Sequence, residues 1–191
     1  MSILDELNVE QRKAAEKIEG PVLILAGAGS GKTRTVTYRI AHMVKEMGIS
    51  PLNILALTFT NKAAKEMKER AEQLVGSDSR NLAISTFHSF AVRLLKTYAD
   101  RIGYGRNFNI YDVDDQKSLI GKIIKELNIN SDEISPSKVA NRISKLKEDG
   151  IGVKELEKEI DVKLYSNRIF YDIYKQYDST LRANNAMDFS D

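Results

Sequence analysis

Lys32 and Thr33 close a glycine-rich stretch, Ala26-Gly27-Ala28-Gly29-Ser30-Gly31-Lys32-Thr33, which follows the apolar run Val22-Leu23-Ile24-Leu25. That order predicts a strand, a phosphate-cradling loop and a helix N-terminus. The loop N–H groups are expected to face phosphate oxygens, Lys32 to reach the β- and γ-phosphates, and the Thr33 hydroxyl to ligate Mg²⁺. The glycines allow φ > 0 and close approach of the backbone, which a Cβ obstructs. One position departs from G-x-x-x-x-G-K-[ST]: Ala26 stands at the first glycine. Alanine there requires an ordinary φ/ψ, so Ala26 marks a subclass of the loop. A chance glycine-rich turn is the bland alternative, and the agreement of run, loop and following helix weighs against it. The loop alone implies a nucleoside triphosphate with Mg²⁺ and leaves the reaction open.

Three more stretches bear on that reaction. Leu7-Asn8-x-x-Gln11 precedes the loop run. A glutamine amide pairs bidentately with the N6/N7 edge of adenine, but Asn8 and Gln11 also have the spacing of a capping box. Leu57-Thr58-Phe59-Thr60-Asn61-Lys62 offers hydroxyls, an amide, a cation and an aromatic ring at a helix start. Those are parts for holding a single nucleic-acid strand, phosphate contacts beside a stacking surface. The competing reading puts Phe59 in the core and makes Thr60 a cap. Thr86-Phe87-His88-Ser89-Phe90 repeats the polar and aromatic mixture, with His88 either meeting DNA or packing. Ligands of open α/β sheets gather at the C-terminal ends of strands, where both stretches are expected.

The elements that position these residues follow from periodicity. A helix is expected from Asn8 to about Ile18, stopped by Gly20-Pro21. Residues 22–25, 53–59 and 82–85 read as buried strands. Helices follow at about 33–47, 60–75 and 87–99, the last with Phe90, Leu94 and Tyr98 on one face. Strand followed by helix three times predicts a parallel sheet. Phe108-Asn109-Ile110-Tyr111 reads as one more short strand. Beyond it only helical periods occur, with a stripe at Leu119, Ile120, Ile123, Ile124 and Leu127, a start at Ser135-Pro136, a short helix at 153–159, and Ile169, Ile173, Tyr177 and Leu181 four apart. The fold class expected is α/β: a parallel sheet flanked by helices, with an all-helical insertion whose charges form solvated faces.

The absence of cysteine excludes disulfides and thiolate metal sites, and two histidines make a histidine zinc site improbable. No apolar run approaches the roughly 20 residues that span a bilayer. The start of the chain has no basic-then-apolar leader pattern, so a cytoplasmic location with no membrane partner is expected. Net charge is +2. Residues 1–111 hold 16 basic against 11 acidic residues, and 112–184 hold 13 against 14. The modest basic bias lies in the half with the loop, as polyanion contact requires.

Taken together, Leu7-Asn8-x-x-Gln11, the loop beginning at Ala26, Leu57-Thr58-Phe59-Thr60-Asn61-Lys62-Ala63-Ala64 and Thr86-Phe87-His88-Ser89-Phe90 resemble the N-terminal part of the UvrD/Rep/PcrA family of superfamily 1 DNA helicases, whose phosphate loop also begins with alanine. The resemblance is strongest over residues 1–111. It implies a RecA-like P-loop NTPase sheet in domain 1A (1–111), a helical subdomain 1B (112–184), and a return into 1A at 185–191. It implies that Gln11, Arg34 and Ala26, Gly27, Ala28, Gly29, Ser30, Gly31, Lys32 and Thr33 bind ATP, with Lys32 and Thr33 catalytic and Thr33 on Mg²⁺. Phe59, Thr60, Asn61, Thr86 and His88 are then the contacts to single-stranded DNA. The implied activity is ATP-dependent 3′-to-5′ unwinding in repair or replication, by a monomer working at single-strand/duplex junctions. The family's Walker B carboxylates and arginine fingers lie beyond Asp191. Asp188 and Asp191 do not replace them, because no four-residue apolar strand precedes them. The chain is accordingly expected to be a fragment that holds nucleotide and DNA with little turnover. A non-catalytic binding module is the second reading. A small-molecule kinase or GTPase is a third, disfavoured because it leaves the two polar-aromatic stretches without a role, and a helicase–nuclease relative also stays open.

Overall fold

The computed structural model describes residues 2–130, 134–161 and 163–191. These divide into two compact units, 1–92 and 93–191.

In the first unit a 3₁₀ turn, Ile3–Glu6, leads into α1 (Val9–Glu16). Asn8 caps α1 through a reciprocal box with Gln11. After the glycine loop comes α2 (Lys32–Lys45), then β1 (Leu55–Thr58), α3 (Asn61–Val75), β2 (Ala83–Thr86) and the start of α4 (Phe87–Tyr98). β1 and β2 run parallel in register Leu55 to Ala83 and Thr58 to Thr86. A crossover is obligatory between parallel neighbours, and α3 supplies it. Its stripe at Met67 and Ala71 is buried with Ile40 of α2, Ile54, Ala56 and Leu82.

One expected element is absent. Residues 22–25 form no strand, and Leu23 and Leu25 are 81% and 85% exposed. A buried parallel strand needs backbone partners on its flanks as well as apolar side chains. The described residues supply none beside this run, since β1 pairs only with β2. The three-strand sheet expected here is therefore a two-stranded one. The protein is mixed α/β and mostly helical, with two small parallel sheets among the described residues. The expected face of α4 is also open: α4 has no buried residue, and Leu94 and Tyr98 are nearly half exposed.

The second unit holds β3 (Asn109–Tyr111), α5 (Val113–Glu126), α6 (Pro136–Glu148), α7 (Val153–Glu159), α8 (Tyr165–Ala183) and β4 (Ala186–Asp188). Every helix expected after residue 111 is present. Ile120, Ile123 and Ile124 of α5 pack with Ile143 of α6 and Ile173, Tyr174, Tyr177 and Leu181 of α8. Burial of each such aliphatic side chain stabilises by about 1.5–3 kcal/mol. Asn185 turns α8 into β4 at φ 48°, a left-handed conformation that asparagine tolerates. Its Oδ1 accepts the Gly105 N–H at 2.7 Å. β4 pairs in parallel with β3, so residues 186–188 lie in the same compact unit as the helical bundle. The unit division falls within α4, earlier than the change of texture at 111. Among the described residues no helix is long and apolar enough to cross a membrane.

One charge pair breaks the expectation of solvated faces. The side chain of Lys147 of α6 is 7% exposed and its Nζ donates to Asp188 Oδ2 at 3.0 Å and Asp191 Oδ1 at 2.7 Å. The Tyr177 hydroxyl donates to the same Asp188 oxygen at 2.7 Å. Burial alone raises the Asp188 carboxyl. The Lys147 charge and the donors Tyr177, Lys147 and Ser190 N–H outweigh it and hold the group below its ordinary range.

Candidate nucleotide-binding site

The glycine loop bends through two left-handed residues, Gly29 at φ 77° and Gly31 at φ 87°. A Cβ at Gly31 falls 2.7 Å from Gln11 Nε2, so a larger residue there displaces the end of that side chain. Gly31 is also the N-cap of α2 and gives it no side-chain cap. The first helical bond runs from Thr35 N–H to Gly31 O at 2.8 Å. The N–H groups of Lys32, Thr33 and Arg34 thus precede any intrahelical partner. The first turn of α2 contains no acid and instead holds Lys32 and Arg34. Cations at a helix N-terminus oppose the dipole, and a bound anion reverses that penalty.

Each loop residue has a definite place. Lys32 Nζ donates to Ala26 O at 2.6 Å and Gly27 O at 2.8 Å. An ammonium has three N–H donors, so one remains for a phosphate. Ser30 Oγ donates to Gly27 O at 2.7 Å, which tightens the turn. Ala28 lies at the exposed tip and Thr33 is exposed on α2. No group of three or more His, Asp or Glu side chains among the described residues is arranged to hold a metal.

Gln11 forms the capping box and also reaches the glycine loop. Its Oε1 accepts the Asn8 N–H at 3.3 Å and its Nε2 donates to Ser30 O at 2.9 Å. A carboxamide has two lone pairs and two N–H donors. One of each is left, the pair that an adenine edge requires. Arg34 donates to Glu6 O at 3.0 Å and lies over the Tyr38 ring at 5.2 Å. Gln11, Arg34, Gly27 and the loop from Gly29 to Thr33 line one cleft of about 500 Å³, which Ala26 and Ala28 do not line. Arg70 of α3 lines it too, ion-paired with Glu66. Nothing in the local sequence marks Arg70. It sits four residues after a glutamate, as surface pairs on helices do, and only the packing of α3 on α2 brings it to the loop.

The second group of expected residues lies where β1 and β2 end. Phe59 is 91% exposed and therefore not core, and its ring stands 5.5 Å from that of half-exposed Phe87, tilted by 37°. Phe87 was not among the expected contacts, although it lies within one of the motifs. Thr60 caps α3 by accepting the Ala63 N–H at 3.1 Å, and Asn61 is exposed beside it. Thr86 is buried, and its hydroxyl donates to Ser89 Oγ and accepts the Ser89 N–H. It acts as the cap of α4. His88 is exposed on the first turn of that helix.

An uncapped helix N-terminus behind a glycine loop, with cations in its first turn, is an arrangement suited to an anion, here in a mixed α/β protein. Comparison with known proteins refines the class: the chain belongs to the UvrD/REP helicase N-terminal domain family, whose model matches residues 7–191. It is 46% identical over 190 residues to the ATP-dependent DNA helicase PcrA of Staphylococcus aureus and, at the same identity and length, to that of Staphylococcus epidermidis. Each match covers 100% of this chain and 26% of the relative. The chain thus spans about a quarter of the length of the curated relatives it matches.

Proposed function

We propose that this chain is the ATP- and single-stranded-DNA-binding N-terminal portion of an ATP-dependent 3′-to-5′ DNA helicase acting in repair or replication. The observation that carries the reading is the cleft where Gln11, Lys32 and Arg34 meet around an uncapped helix N-terminus. In it the α2 N–H groups and Lys32 take the β- and γ-phosphates, Gln11 takes the adenine edge, and Arg34 lies against the nucleoside. Thr33 holds Mg²⁺, which neutralises phosphate charge during transfer. Domain 1A comprises residues 1–111 and subdomain 1B residues 112–184, with 185–191 re-entering 1A; the sheet is RecA-like in the whole protein. The protein works in the cytoplasm as a monomer at single-strand/duplex junctions.

The DNA-contacting edge is formed by Phe59, Thr60, Asn61, Thr86 and His88, with Phe59 and its neighbour Phe87 as the stacking surface. Phe59→Ala is expected to weaken binding of a labelled oligothymidylate by roughly 1–3 kcal/mol, the cost of losing one base stack. Unchanged affinity in an anisotropy titration excludes that role, and because Phe59 is 91% exposed its loss leaves the melting temperature nearly unaltered.

A second reading is a binding module without significant turnover. It is favoured by the lining of the cleft, which among the described residues includes no carboxylate to activate water. Asp188 and Asp191 are engaged with Lys147 in the second unit. Steady-state ATPase of residues 1–191, with and without single-stranded DNA, separates the readings. We expect nucleotide and DNA binding with negligible turnover, and DNA-stimulated hydrolysis by this chain rejects the module reading.

A further inference from the structure

Glu46 sits at the C-cap of α2, the end where the helix dipole disfavours an acid. Its carboxylate is fully engaged. Oε1 accepts the Ile3 N–H at 2.6 Å, and Oε2 accepts the Ser2 hydroxyl at 2.9 Å and lies 2.7 Å from His42 Nδ1. The Ile3 N–H foremost, then His42, holds the Glu46 carboxyl below its ordinary range. The turn that Glu46 grips, Ile3–Glu6, is tied at its other end to the first turns of the same helix. There Arg34 donates to Glu6 O, and the Tyr38 hydroxyl donates to the Glu6 carboxylate. Leu4 and Leu7 are buried with Ala15 and Tyr38. Asn8 follows at once and caps α1, and from there Gln11 reaches Ser30 O. The segment 2–11 is thus a strap along α2, fastened at Glu46, at Arg34 with Tyr38, and at the phosphate loop.

We propose that Glu46 is a positioning residue for the nucleoside end of the ligand: by fastening Ser2 and Ile3 to the far end of α2, it sets where Gln11 and Arg34 stand beside the loop. This rests on the nucleotide-binding reading above. Glu46 itself touches neither the loop nor the cleft lining. A short terminal segment with two buried side chains, Leu4 and Leu7, frays unless it is tied down. Every fraction of time the strap is undocked lowers the apparent affinity in proportion. The phosphate subsite is spared, because Lys32 and the α2 N–H groups belong to α2 and not to the strap.

The test uses Glu46→Ala and Glu46→Gln in the 191-residue chain, with Mg·ATP, Mg·GTP and Mg·tripolyphosphate as calorimetric probes. Glu46→Ala is expected to weaken ATP about tenfold through the undocked fraction, leave tripolyphosphate unchanged, and narrow the preference for ATP over GTP. Glu46→Gln keeps an oxygen for the Ile3 N–H and recovers most of the loss. Amide hydrogen exchange gives a readout independent of ligand: in Glu46→Ala the Gln11 amide exchanges faster, as well as those of Ile3 and Leu4. Equal weakening of ATP and tripolyphosphate, or faster exchange confined to Ile3 and Leu4, overturns the proposal. If the unaltered chain binds none of the three probes, the nucleotide reading fails, and the exchange at Gln11 still decides whether Glu46 positions it.

Discussion

Lys32→Ala is expected to remove measurable Mg·ATP binding while the protein stays folded. The Lys32 side chain is exposed and its bonds go to two exposed loop carbonyls, Ala26 O and Gly27 O. Surface changes of that kind shift stability by only about 0.5 kcal/mol. The ligand loses much more. Each hydrogen bond to a charged group contributes about 1.5–3 kcal/mol, and Lys32 keeps one donor for a phosphate beside its two loop carbonyls, so the expected weakening is about ten- to a hundredfold. Arginine is not expected to rescue it. A planar fork does not fit a loop shaped around a compact ammonium whose other donors already hold Ala26 and Gly27. Calorimetry with an unchanged dissociation constant eliminates the role assigned to Lys32, and with it the reading of the cleft as a phosphate site.

The second large effect lies in the other unit. Lys147→Ala is expected to destabilise the helical bundle by about 3–5 kcal/mol, the usual cost of stranding one member of a buried ion pair. Asp188 is 3% exposed in its side chain, and it keeps only the Tyr177 hydroxyl, Gln116 and the Ser190 N–H as donors. The effect carries a pH signature. With Lys147 present the Asp188 carboxyl lies below its unfolded value of about 3.9, so its contribution is complete above that value and is lost as pH falls through the depressed one. Removing Lys147 takes away the largest influence that lowers the group and leaves burial as the largest remaining one, so the folded value is expected to rise above the unfolded one. The variant then suffers most at neutral pH and recovers relative to the parent as the pH is lowered towards 4. Urea unfolding followed by tyrosine fluorescence at pH 7 and pH 4.5 measures both. A deficit below about 1 kcal/mol, or one that widens in acid, shows that the pair does not hold the bundle. The same burial, reinforced by the bond to Asp188, drives the Tyr177 phenol far above its ordinary value. Tyr177 therefore stays a donor throughout.

The legibility of this protein varied with the range of the interaction. Caps, periods and the phosphate loop are local devices, and they were read directly. Asn8 with Gln11, Thr60 at α3 and the proline start of α6 all occupy their expected positions, because a cap is a bond between residues three apart. The helical half was equally legible, since a stripe with a period near 3.6 buries itself against other stripes whatever their order. Run 22–25 misled for the opposite reason: a composition suited to a buried strand says nothing about whether partner strands lie beside it. Phe59 had two admissible places, core or surface, and only its 91% exposure distinguished them.

The order of residues along the chain thus settled the turn of the glycine loop into α2, the family and nearly every helix, because spacing within a few residues decides those. The tertiary structure decided what needs two distant segments to meet. It placed Arg70 at the loop, set Lys147 against Asp188, and spent the Thr86 hydroxyl on a cap. It also strapped Gln11 to Ser30 through a turn that Glu46 holds from the far end of α2. Each of those depends on the direction in which one element crosses another, and a local pattern of residue types does not encode that direction.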